Sequence, residues 1–254
     1  MSDGIYSALS GAVAQQRALD TVANNVANAG TTGFRADRLA FREMVSRERG
    51  GPNPDGLRYV AISQLRTDRR DGPLVQTGNP LDLALSGDGM FAVETDDGVR
   101  YTRAGTFLLD TEGVLRTHGG HAVLGQAPPP SPEAPRPEPA PMVVGQPAGS
   151  LQVGSDGTVR VDGQEVGRLR LVAFGPDDLE KEGLTLFRPR PNVEGAPADE
   201  VQVLQGYLEG ANVRPVEGMN ELIEASRAFE AFQRVIQAFR QIAERTAREV
   251  GRSR

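Results

Sequence analysis

The two ends of the chain carry apolar stripes of the same period, and the sequence between them has the short alternating runs typical of β-strands. The first stripe, with steps of four and three residues and one polar member, consists of Ile5, Leu9, Ala12, Gln16, Leu19, Ala23 and Val26. The second has the same alternation and consists of Leu222, Ala225, Phe229, Phe232, Ile236, Phe239 and Ala243. An average period of about 3.5 residues places each set on one face of a helix, as in the seam of a coiled coil.

A helix with a single apolar face most often docks on its own domain. Two features favour further partners here. Each stripe spans only about three heptads, which is short for a helix that must be stable alone. Each helix also has a second apolar row, formed by Val13 and Val22 on the first and by Val235 and Ile242 on the second. We therefore expect the terminal helices to pair with each other and then to contact neighbouring molecules.

Composition excludes several classes of function. The net charge of −6 leaves no basic excess to offset phosphate repulsion, which argues against a general nucleic-acid binder. The chain has no cysteine, so disulfides, thiolate nucleophiles and cysteine metal sites are excluded. No apolar run approaches the roughly 20 residues that span a bilayer, so we expect no membrane insertion. The first five residues lack the features of a secretory signal, which predicts a cytoplasmic protein or export without signal cleavage.

The sequence pattern predicts an α+β fold, in which the N- and C-terminal helices pair as a coiled-coil-like unit around an inserted, mainly antiparallel β domain. The first helix is expected over residues 4 to about 28 and the second after Pro215, which suits a first helical turn. Glycine turns at Asp97-Gly98 and Asp162-Gly163 divide the β region into hairpins. Residues 178–183 read as one helical turn.

These elements suggest a division into domains. Residues 1–35 and 212–254 are expected to form a discontinuous helical assembly domain, and residues 72–211 a β-rich outer domain. Residues 36–71 form a connecting segment with one short strand near residues 59–62. Residues 127–148 are rich in proline, which fixes φ and removes a backbone donor, so we expect an extended surface loop there.

The sequence contains no complete set of catalytic residues. His118 and His121 are the two histidines, and the Gly119-Gly120 pair between them predicts a turn without a third metal ligand. The aspartates mostly lie at hairpin corners, where they cap turns, and Ser10 lacks acid and histidine partners. We therefore expect no catalytic, cofactor-binding or metal residues, and a structural role.

Four motifs resemble those of the bacterial flagellar axial proteins, the family of rod and hook subunits. The N-terminal one is ANNVANAGTTGFR at residues 23–35. Two from the β region are GNPLDLA at 78–84, continued by GDGMF at 87–91, and YTRAGTF at 101–107. The last is GYLEGANV at 206–213, followed by Pro215, Val216, Glu217 and Met219. They occur in the family's order, and the resemblance covers nearly all of the chain except the proline-rich segment.

The resemblance implies a subunit of the basal-body rod, in which paired terminal helices line a tube and the β domain faces outward. Its implied partners are copies of itself, other rod subunits and the flagellar type III export apparatus, and its implied location is the periplasmic rod. The chain length and residues 75–81 look most like a proximal-rod member; a distal-rod or hook subunit is the alternative. An assembly factor that does not remain in the rod and a peptidoglycan hydrolase are the other readings.

The helix seams and the asparagines of the N-terminal motif together give a predicted assembly interface. Its residues are Ile5, Leu9, Leu19, Asn24, Asn25, Val26, Asn28, Leu222, Phe229, Phe232, Ile236 and Phe239.

Overall fold

The computed structural model describes residues 2–46, 57–128, 137–145, 150–198 and 200–252. The chain forms two compact units. The helical unit comprises Met1–Ala27, Ala36–Asp68 and Val213–Arg254, and the β unit comprises Asn28–Arg35 and Arg69–Asn212. Residues 28–35, which the sequence analysis grouped with the terminal helices, therefore lie in the β unit.

The helical unit contains both predicted helices and a hairpin. Its elements are α1 (Ser2–Ala27), β1 (Asp37–Ser46), β2 (Leu57–Thr67) and α2 (Pro215–Arg252). Helix α2 begins at Pro215, because a proline at the first helical position loses no intrahelical hydrogen bond. The two helices contact each other, which confirms the predicted pairing of the chain ends.

The hairpin corrects the expectation of a single short strand within residues 36–71. Strands β1 and β2 pair antiparallel from Asp37 opposite Thr67 to Ser46 opposite Leu57, with one register shift after Ala40. Pairing satisfies the backbone N–H and C=O groups whatever the side chains are. A polar, arginine-rich segment without clear alternation can therefore form a long hairpin.

The β unit consists of short strands joined by tight turns. They are β3 (Leu74–Gln76), β4 (Leu83–Ser86), β5 (Met90–Thr95), β6 (Gly98–Thr102), β7 (Phe107–Leu109), β8 (Leu115–Thr117), β9 (Ala122–Gln126), β10 (Ala140–Pro141), β11 (Leu151–Val153), β12 (Thr158–Val161), β13 (Gln164–Leu169), β14 (Leu171–Ala173), β15 (Leu179–Glu182), β16 (Leu186–Pro189), β17 (Ala196–Pro197), β18 (Gln202–Gln205) and β19 (Tyr207–Glu209). The largest sheet has the order β11-β12-β13-β9-β5-β6-β16-β15, with β7, β8, β10, β14 and β17 pairing beside this path. Two further pairs, β18 with β4 and β19 with β3, are also antiparallel, which confirms the predicted fold class.

Turn chemistry accounts for much of this topology. The expected hairpin at Asp97-Gly98 is present between β5 and β6. Between β12 and β13, Asp162 and Gly163 have φ of 52° and 83°, the left-handed pair that a two-residue type I′ hairpin turn requires. The helical turn expected over residues 178–183 is wrong. Strand β15 occupies that stretch and pairs with β16, where the aromatic ring of Phe187 is buried, so tertiary pairing overrides the local pattern.

A continuous apolar core lies within the β unit. It consists of Leu83, Leu85, Phe91, Val93, Phe107, Leu115, Val123, Met142, Val144, Val159, Leu169, Val201 and Val203. At its centre the rings of Phe91 and Phe107 meet edge to face, with centroids 5.1 Å apart and an interplanar angle of 88°. This arrangement is favourable for two aromatic quadrupoles.

The proline-rich segment contributes to that core, contrary to expectation. Residues 129–136 and 146–149 lie outside the described residues, but β10 pairs with β9 and leads into Met142 and Val144, both buried. The N–H of Met142 donates to the carbonyl of Val123 at 2.8 Å, and the N–H of Leu115 donates to the carbonyl of Met142 at 2.9 Å. The prolines that dominate the composition do not prevent pairing at a short edge strand, where a missing donor is tolerated.

Met142 is expected to be a strong contributor to stability. A Cβ built on Gly125 would lie 2.0 Å from Met142 Cε, so the methionine end fills space that the glycine leaves free. Changing Met142 to alanine should lower the free energy of unfolding of the β unit by about 2–5 kcal/mol, through lost burial and a residual cavity. Val143, which is 56% exposed, is the matched control. Urea denaturation of both alanine variants checks this, and an equal effect at the two positions would contradict the assignment of Met142 to the core.

Candidate assembly interface

Helices α1 and α2 pack against each other at several glycines. A Cβ built on Gly4 would lie 2.8 Å from Phe239 Cζ, and one built on Gly11 would lie 2.5 Å from Phe232 Cε1. At the other end of the pair, a Cβ on Gly218 would lie 2.6 Å from Val26 Cγ2. The contacts run in opposite order along the two helices, so the helices are antiparallel.

Most of the predicted seam residues are half-buried in the helical unit. These are Ile5, Leu19, Val26, Leu222, Phe229, Phe232, Ile236 and Phe239. Leu9 is different, since about half of its surface is exposed. It lies two residues before Gly11, and at about 100° per residue this places it almost on the opposite side of α1 from the close contact. The seam of α1 runs instead along small residues, and Ala8 and Ala12 are buried.

The three predicted asparagines occupy different environments. Asn25 pairs with Asp37 within the helical unit: its Nδ2 donates to the Asp37 carbonyl at 2.8 Å, and its Oδ1 accepts from the Asp37 N–H at 2.9 Å. Asn28 is buried in the β unit, where Thr31 Oγ1 donates to its Oδ1 at 3.1 Å. Asn24 is exposed. Asn25 and Asn28 therefore take part in hydrogen bonds within the chain.

Both helices also expose rows of large apolar side chains away from their mutual contact. The row on α1 consists of Tyr6, Leu9 and Val13, at helical spacing. On α2 the exposed residues are Val216, Met219 and Ile223 near its start, and Val235 and Ile242 near its end. Their exposed fractions range from 44% to 74%. Val13, Val235 and Ile242 belong to the predicted second apolar rows, and Leu9 to the predicted interface. The exposure of Tyr6, Val216, Met219 and Ile223 was not predicted, although the i, i+3, i+7 spacing of Tyr6, Leu9 and Val13 is a detectable signal.

The N-terminal motif ends in a segment that is tightly held within the β unit. Gly33 has φ of +67°, and a Cβ there would lie 2.3 Å from the Ala104 nitrogen, so the close approach requires glycine. Its N–H donates to the Glu209 carbonyl at 2.8 Å. The ring of Phe34 is fully buried beneath Lys181 Nζ, which lies 4.0 Å from the ring centroid. The same ammonium donates to the carbonyl of Arg35 at 2.7 Å.

Next to this segment lies a buried ionic group that we call the Arg35 cluster: Arg35, Asp71, Arg103 and Glu209. Glu209 Oε1 lies 2.6 Å from Arg35 Nη2, and Glu209 Oε2 lies 3.3 Å from Arg103 Nη1. Asp71 Oδ1 bridges the two guanidiniums at 3.0 and 3.2 Å. Arg35, Arg103 and Glu209 are almost completely buried, whereas Asp71 is half exposed.

Backbone groups also form hydrogen bonds with the cluster. The Gly72 N–H donates to Glu209 Oε1 at 2.9 Å, and Arg103 Nη1 donates to the Leu85 carbonyl at 3.1 Å. Burial lowers the pKa of Arg103 from its ordinary value, and the charge of Glu209 opposes that change. No local sequence pattern predicts this cluster, because Arg35 and Glu209 lie far apart in the chain and each has the pattern of an ordinary surface charge.

Neither a small-molecule site nor a metal site is indicated by the rest of the described structure. A groove of about 410 Å³ in the β unit is lined by Asp97, Arg100, Glu180, Lys181, Glu182 and Arg188. Arg100 bonds to Glu182 and Arg188 to Glu180, each at 2.9 Å, so these opposite charges satisfy one another. Within the described ranges, no group of three or more histidine, aspartate or glutamate side chains could hold a metal ion. Over the same ranges, neither helix has a stretch apolar and long enough to cross a bilayer.

Paired helices from opposite chain ends, exposed apolar rows on both, and an inserted antiparallel β unit define a structural assembly protein. The sequence matches three families along its length. They are described as "Flagella basal body rod protein" over residues 5–35, "Flagellar hook protein FlgE/F/G D1 domain" over residues 84–161, and "Flagellar basal body rod FlgEFG protein C-terminal" over residues 204–249.

Individual relatives agree with these matches. The flagellar basal-body rod protein FlgF of Caulobacter vibrioides is 35% identical over 99% of both chains. The FlgF protein of Mesorhizobium japonicum is 36% identical, over 91% of this chain and 90% of the relative. The rod protein FlgG of Bacillus subtilis is 32% identical, over 93% of this chain and 94% of the relative. The chain therefore belongs to the flagellar basal-body rod protein family, and it is a structural rod subunit that is most like FlgF.

Proposed function

We propose that this subunit polymerises through its terminal helices into the axial tube of the proximal rod, with other rod subunits as neighbours. The observation that carries the proposal is the set of exposed apolar rows on α1 and α2. Such rows are costly in a free monomer because apolar surface stays in water, and they become favourable when neighbouring subunits cover them. A helical tube requires contacts between unlike faces of successive subunits, and two helices with several apolar faces can provide them.

The predicted interface residues take two roles in this proposal. Half-buried seam residues such as Phe232 and Ile236 hold α1 and α2 together, and exposed ones such as Leu9 face the next subunit. The hairpin β1–β2 belongs to the same unit as the helices, so we include it in the assembly domain. The β unit then forms the outer domain, and the protein carries out no catalysis of its own. Delivery to the periplasmic rod by the flagellar type III export apparatus completes the proposal.

A distal-rod position is the second candidate, because relatives named FlgG match the chain almost as extensively as those named FlgF. Purified basal bodies from the source organism test both. Mass spectrometry should find the protein at a fixed ratio to other rod components, and an epitope tag within the β unit should be located in the proximal part of the rod by electron microscopy. A distal tag position would favour the second candidate. Absence from intact basal bodies would favour a transient assembly factor and overturn the structural proposal.

A further inference from the structure

The contact between α1 and α2 is a ladder of four facing positions, and at three of them a glycine on one helix faces a larger side chain on the other. At the first two rungs the small residues are Gly4 and Gly11, seven positions apart, and the large ones are Phe239 and Phe232, also seven apart. The hypothetical Cβ distances of 2.8 and 2.5 Å show that each phenylalanine ring occupies the space that a side chain would fill if the glycine were any other residue. Each glycine therefore acts as a socket for one ring.

The sizes are reversed at the far end of the ladder. There the glycine is Gly218 on α2 and the larger side chain is Val26 on α1, with a hypothetical Cβ distance of 2.6 Å. By the seven-residue spacing, Ala18 and Ala225 lie at the rung between, and Ala225 is buried. The pattern on α1 is thus small, small, small, large, and the facing pattern on α2 is large, large, small, small. Such a graded pattern fits in only one antiparallel register.

We propose that Gly4, Gly11 and Gly218 specify which helix α1 pairs with, and in which register. The selected partner is α2 of the same chain. A shift of one heptad in one direction would place Phe232 against Ala18, where a methyl group occupies the socket. The opposite shift would leave Gly11 facing Ala225, with an unfilled gap. Overpacking and cavities are both destabilising in a packed interface, so each shift is disfavoured.

The same chemistry discriminates against foreign helices. A C-terminal helix from another axial subunit can replace α2 only if it presents aromatic rings at the same two rungs and small residues at the other two. The consequence of this pairing rule for the rod rests on the function proposed above. In the rod, such sockets would keep the two ends of each subunit paired with each other while the exposed rows contact neighbouring subunits. The pairing rule itself is a property of the single chain and can be tested without assembly.

A size-exchange experiment on the full-length protein tests the sockets. Leucine is a much better helix former than glycine, so without a socket Gly11→Leu should stabilise α1 and slow its amide hydrogen exchange. With a socket, the leucine collides with Phe232, and exchange of the α1 amides should become faster by about tenfold or more. Phe232→Ala makes room for the leucine, so the double variant G11L/F232A should exchange more slowly than either single variant.

Two controls make the outcome decisive. Arg17 is exposed on α1, and Arg17→Leu combined with F232A should give additive effects. Protection of the amides in β5 and β9 reports whether the β unit remains folded in every variant. Additive effects of G11L and F232A, or slower α1 exchange in G11L alone, would overturn the proposal.

The experiment also separates this inference from the proposed function. Coupling between residues 11 and 232 in a protein that is absent from basal bodies would keep the pairing rule and remove the rod role. Additive effects of the two substitutions in a protein that is present in basal bodies would remove the pairing rule and keep the rod role.

Discussion

Replacing Glu209 with alanine is expected to lower the free energy of unfolding of the β unit by about 3–5 kcal/mol, because two buried guanidiniums lose their shared carboxylate. Arg35 and Arg103 are each less than a tenth exposed, so water cannot replace the carboxylate that they lose. The Gly72 N–H also loses its acceptor. Hydrogen exchange of the β-unit amides in the full-length protein measures the change.

Glu180 provides the matched control for this prediction. It also pairs with an arginine at 2.9 Å, but both side chains are about half exposed. Solvent screens such a pair, so Glu180→Ala should change β-unit stability little. Glu209→Gln keeps the shape of the side chain and removes only the charge. The stability of its β unit should lie between those of the Glu209→Ala and Glu180→Ala variants. If the Glu209 and Glu180 alanine variants are equally stable, the Arg35 cluster does not hold the β unit together.

The second large effect is expected from Phe232→Asp, which should abolish rod completion and swimming. The ring of Phe232 lies against Gly11, and a carboxylate at that position would be desolvated without a partner, at a cost of several kcal/mol. The variant is expressed in a strain that lacks the wild-type gene, and motility and basal-body composition are measured. The β unit should remain folded, since Phe232 lies in the helical unit.

Gln233→Asp is the control for charge. It introduces the same group one residue away, at an exposed position on α2, and should swim normally. Normal motility of both variants would remove the proposed role of the helix pair in assembly. Loss of motility in both would point to an effect of charge on α2 as a whole, and not to the contact with Gly11.

The sequence predicted those parts of the fold that depend on local signals. The period of the terminal stripes gave α1 and α2, and Asp-Gly turns gave the hairpins at Gly98 and Gly163. The predictions from sequence failed where a segment's structure depends on a strand or side chain that is distant in the chain. Residues 179–182 form a strand because β16 is available to pair with them, and Met142 is buried because β9 and the space beside Gly125 receive it.

The candidate interface was predicted in part for a related reason. Counting large apolar residues finds Phe232 and Phe239 but gives no weight to the glycines that receive them. This is why Leu9 was assigned to the seam of α1, although Gly4 and Gly11 face α2 and Leu9 points elsewhere. The Arg35 cluster could not be found by any local pattern, because its ion pairs join residues from separate parts of the sequence.

Lys181 is the one lysine in the chain, and its position makes it a chemical reporter. A reagent that acylates amines has a single side-chain target, and that ammonium is held against Phe34 and the carbonyl of Arg35. Acylation removes the positive charge and with it the attraction to the aromatic ring. The rate of labelling at Lys181 should therefore depend on how firmly Phe34 and the Arg35 carbonyl hold this ammonium. One mass-spectrometric peak can follow this contact in the free subunit and in the assembled organelle.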